Sequence, residues 1–165
     1  MKKILKKILL ILLVLLLLLQ FYPRAKKNNE LSALNDIVQV HALPANVQDI
    51  LKTSCYDCHS NKTSYPWYSY IQPVSWWLND HIIEAKKELN FSEFASYNLA
   101  RQYRKLEEIA KEVKENEMPL QSYILIHQYA KLSTRQKLEV TNWTDMLRDS
   151  MKRNYPIDSL VRKKK

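Results

Sequence analysis

The chain has 165 residues, a formal net charge of +9 and no glycine. Without glycine, phosphate-cradling loops of the Rossmann or P-loop kind are excluded, and turns must rely on Asn, Asp, Ser and Pro. The charge does not indicate nucleic-acid binding: Asp36 to Asp149 holds 13 lysines and arginines against 15 acidic residues, and the excess sits at the two ends. Basic ends on a near-neutral body point to membrane topology and surface attachment rather than to a phosphate-binding stripe.

Residues 8–19 read ILLILLVLLLLL, and Ile4, Leu5, Phe21 and Tyr22 extend the run. Ile4 to Tyr22 as one helix is about 28 Å long, close to the roughly 30 Å of bilayer hydrocarbon. A single N-terminal transmembrane helix is therefore expected over residues 1–23, as a retained anchor or a cleaved leader. QFYPRAKK lacks a clean small-x-small cleavage site, which favours the anchor. MKKILKK puts the N-terminus in the cytoplasm and the body outside the cytoplasmic membrane.

Residues 24–43 read as a linker with a weak helical pattern at Leu34, Ile37 and Val38. Pro44 suits the start of a helix with Val47, Ile50 and Leu51 on one face. NKTSYPWYSYIQPVSWW, residues 61–77, carries two prolines and six aromatics, so a ring-packed loop is expected, turning helical near Ser75. Leu78, Ile82, Ala85 and Leu89 then form an apolar stripe. Asn90-Phe-Ser-Glu93 has the form of a capping box opening a long helix that ends before Met118-Pro119. QSYILIHQYA reads as a loop, and Ser133 caps a last helix with Leu138, Val140, Trp143 and Leu147 inward. The body, residues 44–149, is all-α with about four helices, followed by a basic tail at 150–165.

The chemistry-bearing feature is Cys55-Tyr-Asp-Cys58-His59, which holds the chain's two cysteines. A thioredoxin-like motif needs a preceding strand, and none is read here. A zinc site needs four ligands, and the adjacent Cys58 and His59 do not readily converge on one tetrahedral ion. A Cys55–Cys58 disulfide closes a very small, strained loop. C-x-x-C-H is also the attachment signature of c-type haem. There both thiols form thioethers with the vinyl groups on one porphyrin edge, and the following histidine binds iron. An extracytoplasmic body suits that chemistry, so one covalent haem is the leading expectation.

The sixth ligand is sought among Met118, Met146, Met151, His41, His81 and His127. Met118 leads, because a loop methionine stiffened by Pro119 can cross the second haem face, with His127 and His81 as competitors. Trp67 and Tyr70 are candidates for direct polar contact with the haem, although most rings of the aromatic loop are expected to be core. No catalytic acid–base pair is evident.

CYDCHSN, PWYS, PVSWW, LNFSEF and EMP together resemble the bacterial haem-binding-domain family, small mono-haem cytochrome-c-like proteins. The resemblance runs from Leu43 to Leu147. It implies a cytochrome-c-like helical domain, haem on Cys55 and Cys58, His59 as axial ligand, and Met118 at the family's Met-Pro position. Leu120 stands where such proteins often have a second proline, and Ala85 where a glycine often follows the glutamate. The expected function is a membrane-anchored, one-electron carrier serving redox partner proteins. The alternative is a peroxidase-like haem enzyme or a redox or gas sensor with an open sixth position.

Overall fold

The computed structural model describes residues 1–23 and 34–161. The basic residues expected at 24–27 and 162–165, and the first part of the linker, lie outside the described residues. Among the described residues there is no strand. In chain order the helices are α1 (Lys2–Leu19), α2 (Ile37–Val40), α3 (Ala45–Ser54), α4 (Tyr56–His59), α5 (Val74–Glu88), α6 (Leu99–Glu115), α7 (Gln121–Ile126), α8 (Thr134–Asn154) and α9 (Ile157–Leu160). Tight 3-10 turns occupy Trp67–Tyr70, Phe91–Ser96 and Gln128–Ala130.

The expected transmembrane span is not supported. Among the described residues no helix is long and apolar enough to cross a membrane. The helix stops at Leu19, because Gln20, Phe21 and Tyr22 fold back onto the carbonyls of Leu17, Leu18 and Leu19 and Pro23 cannot continue it. Its first two turns carry Lys2, Lys3, Lys6 and Lys7. None of its residues is buried.

The body's main seam is α6 against α8, the most extensive helix pairing described. Leu106, Ile109 and Val113 of α6 join Val140, Trp143 and Met151 of α8 in one core. Fully burying a side chain such as Leu106 stabilises by about 1.5–3 kcal/mol. α3 adds Val47, Ile50 and Leu51 to the same core. Leu138, expected inward, is exposed, and Met151 takes an inward place further along α8.

Several boundaries differ from the sequence reading. Asn90 does cap, but it caps a 3-10 turn: its side chain accepts from Ser92 N, and Phe91 and Phe94 are both buried. The long helix starts later, where Asn98 accepts from Arg101 N. Two hydrophobic rings needed inside at 91 and 94 win over continuous helix. QSYILIHQYA is not a plain loop, since α7 and a 3-10 turn occupy it. The end of the expected linker belongs to the body: Ile37 is in the core, and Asp36 is wholly buried. The expected tail likewise contributes Met151 and Leu160 to the core.

Candidate functional site

The Cys-x-x-Cys-His stretch begins where α3 breaks. Cys55 leaves helical geometry (φ −126°, ψ −39°) while its N–H still bonds Leu51 O. Cys58 N–H and His59 N–H then bond Cys55 O at 3.2 and 2.9 Å, making α4 a single turn. The intervening residues tie the turn to its frame. Tyr56 is buried, its ring stacks on Phe91 at 5.4 Å, and its hydroxyl donates to Asp36 Oδ1 at 2.8 Å. Asp57 accepts from Tyr123 Oη at 2.7 Å and from Ser64 N at 3.2 Å. Ser60 Oγ donates back to Tyr56 O at 2.8 Å.

His59 has the most constrained ring of the site. Its Nδ1 lies 3.1 Å from Ala85 O and 3.0 Å from Leu89 O, both at the end of α5. Carbonyls only accept, so Nδ1 carries the proton and Nε2 keeps its lone pair. Burial lowers the pKa of His59; the two carbonyl bonds oppose that shift and the Lys105 charge adds to it. A neutral imidazole with Nδ1–H held by backbone oxygen is the form that ligates a metal through Nε2.

Met118 reaches the same place from the far end of α6. That helix ends at Asn116, which takes the left-handed conformation (φ 64°, ψ 23°). Asparagine tolerates that region better than other non-glycine residues, and this chain has no glycine to place there. Glu117 N–H and Met118 N–H both fold back onto Glu112 O, at 3.0 and 3.2 Å. The chain therefore reverses, and Met118 turns toward the Ile109–Val113 face. Cys55, His59 and Met118 line one cavity of about 240 Å³, walled by Leu89, Phe91, Ile109 and Val113. Cys58 lines a second cavity, of about 390 Å³, with Trp67, Tyr68, Trp77, His81 and Tyr123. Tyr70 lines neither and is half exposed.

The competing ligands are placed elsewhere. His127 is engaged at both nitrogens, by Tyr68 Oη at 2.7 Å and Tyr129 Oη at 2.8 Å. His81 Nδ1 bonds Trp77 O at 2.8 Å within α5. His41 packs edge-on to Phe94. Met146 is exposed and Met151 is core. Of the six candidates, Met118 is the one that shares a cavity with His59.

The thiols are not joined to each other. Burial, with the neighbouring Cys58, pushes Cys55 up to about 12; burial, with the Asp57 charge, pushes Cys58 up to about 11. Among the described residues no group of three His, Cys, Asp or Glu side chains is arranged to hold a metal ion. Cys55, the oriented His59 imidazole and the Met118 thioether, set among apolar walls with Cys58 on the neighbouring cavity, are side chains that could hold a haem.

One contributor escaped the sequence reading. Lys105 lines the His59 cavity, its side chain only 6% exposed, and it pairs with Glu88 at 2.9 Å and Glu108 at 2.6 Å. Its signal was its register, since it falls on the inward face of α6 between Gln102 and Ile109.

A family model described as a haem-binding domain matches residues 14–146. The chain belongs to this family. The match spans the Cys-x-x-Cys-His turn, the aromatic loop and Met118, and it supports a haem cofactor for the chain. No curated protein and no solved structure matches the chain.

Proposed function

We propose that the chain is a mono-haem c-type cytochrome that carries single electrons between redox partner proteins. In this reading Cys55 and Cys58 hold the haem through thioethers, His59 Nε2 binds one face of the iron, and Met118 binds the other. The observation that carries it is the meeting of His59 and Met118 on one apolar cavity, with His59 already in the ligating tautomer. Haem supplies an iron that gains or loses one electron. The chain's own residues keep that exchange cheap. Ala85 O and Leu89 O fix the imidazole, so little reorganises when the charge changes. Leu89, Phe91, Ile109 and Val113 keep water off the cavity wall. A ligand on each face leaves no open position for a substrate.

The proposed address is the outer side of a bacterial inner membrane, with the body in the periplasm and α1 in contact with lipid. Thioether formation with haem belongs to that compartment, and α1 exposes a continuous aliphatic surface. Spectra of the oxidised and reduced protein test the electron-carrier reading. Low-spin spectra in both states, with a weak far-red band in the oxidised form, are expected from His/Met ligation. The haem should also stay with the chain through acid-solvent extraction. A high-spin spectrum with ready carbon monoxide binding overturns the carrier reading in favour of a haem enzyme or sensor. Haem lost to the solvent overturns covalent attachment.

A further inference from the structure

The end of α1 is fastened to the aromatic loop before the chain goes on to residue 24. Gln20 and Gln72 exchange two hydrogen bonds: Gln20 Nε2 donates to Gln72 O and Gln72 N–H donates to Gln20 Oε1, each at 3.0 Å. Tyr22 meets Trp76 edge-on at 5.2 Å, and Trp76 Nε1 donates to Pro23 O at 3.5 Å. Thus α1 is no free tether; its end is joined to the body at Gln72 and Trp76.

Next to that joint lies a second apolar surface. Trp67 is 75% exposed, Trp77 48% and Ile126 63%. These three and Leu120 line the cavity that holds Cys58, so they belong to one patch around its mouth. We infer that this aromatic patch is a membrane seat, which rests against the lipid headgroup–acyl boundary and turns the Cys58 cavity toward the bilayer. The inference rests on the membrane reading of α1. The exposed aliphatic surface of α1, joined to the body beside this patch, favours lipid as the occupant. An aliphatic helix resting in lipid brings the body fastened to its end to the membrane surface. Here the joint at Gln20 delivers Trp67 and Trp77 to that depth, and indole rings are favoured there.

The test uses the full haem-loaded chain, labelled with fluorotryptophan and reduced, in vesicles of phosphatidylethanolamine and phosphatidylglycerol. Fluorine NMR is read with a nitroxide on the upper acyl chain, then with a water-soluble gadolinium chelate. The nitroxide is expected to broaden the Trp67 and Trp77 signals severalfold more than that of core Trp143, and the chelate to broaden them little. Trp67 and Trp77 broadened by the chelate and spared by the nitroxide overturn the seat. Vesicle flotation separates that failure from the failure of its premise: a chain that does not float overturns the membrane reading of α1, and the seat with it. Gln20→Ala should still float while the lipid broadening of Trp67 and Trp77 falls. Unchanged broadening in that variant overturns the role of the joint.

Discussion

The two sides of the haem-family cavity are built to different standards. On the His59 side every neighbour is fixed: two α5 carbonyls hold the ring, Phe91 stands edge-on at 6.3 Å, and Tyr56 locks the turn to buried Asp36. On the Met118 side the thioether sits in a half-buried loop, placed by one left-handed asparagine and two hydrogen bonds to a single carbonyl. The first side is specified by core packing and the second by a helix cap. The difference predicts that the His59 side governs whether the haem is held, and the Met118 side governs how it reacts.

The largest effect is expected at His59. His59→Ala removes the oriented lone pair while leaving the two thiols, so the protein should lose its low-spin spectrum altogether and accumulate little haem. A low-spin spectrum equal to that of the parent protein would remove His59 from the iron. Next comes Met118→Ala, which should keep the haem attached but open one face. Carbon monoxide should then bind readily, and the reduction potential should fall by on the order of 0.1–0.3 V, within the roughly 0.8 V that axial ligands span. Potentiometry showing no change would reverse the comparison, because the two sides would then differ in packing without differing in function.

Legibility in the sequence follows the same divide. The helix after Pro44 and the Ser133 cap are local signals, and the chain folds there as they say. The Asn90 signal was equally local and misled, because Phe91 and Phe94 had to enter the core together. Ile37 and Asp36 were read as linker, since a short amphipathic turn shows its value only when Tyr56, twenty residues on, brings a hydroxyl to it. Lys105 was hidden for a related reason: a lysine in a helix reads as solvent-facing until Glu88, on another helix, is seen to meet it. The meeting of Met118 with His59 had a sequence signal in Met-Pro. The means of placing it, Asn116, had none beyond the absence of glycine.

Tyr56→Phe probes the packed side with an intermediate effect. It leaves the stacking on Phe91 and removes one hydroxyl, so a wholly buried Asp36 carboxylate loses its 2.8 Å donor. Val38 N–H still donates to that oxygen at 3.1 Å, so the loss is one hydrogen bond to a buried carboxylate, about 1–3 kcal/mol. The denaturation midpoint should fall accordingly while the spectrum stays low-spin, because Ala85 O and Leu89 O still hold His59. A lost low-spin spectrum at unchanged stability would show that the hydroxyl acts on the haem rather than on the frame.

The smallest effect sharpens the loose side. Asn116→Ala forces a Cβ into the left-handed region without asparagine's tolerance, at a cost of about 1 kcal/mol. Asn116→Gly relaxes the same backbone and should be neutral or slightly stabilising. If the cap is what delivers Met118, the two variants should also differ in the far-red band, weakened in Ala and kept in Gly. Carbon monoxide binding should rank the same way, with Met118→Ala fastest, Asn116→Ala intermediate and Asn116→Gly equal to the parent. A band that survives unchanged in Asn116→Ala would mean that Met118 is held by the cavity itself, through Ile109 and Val113, and that this side is as firmly built as the other.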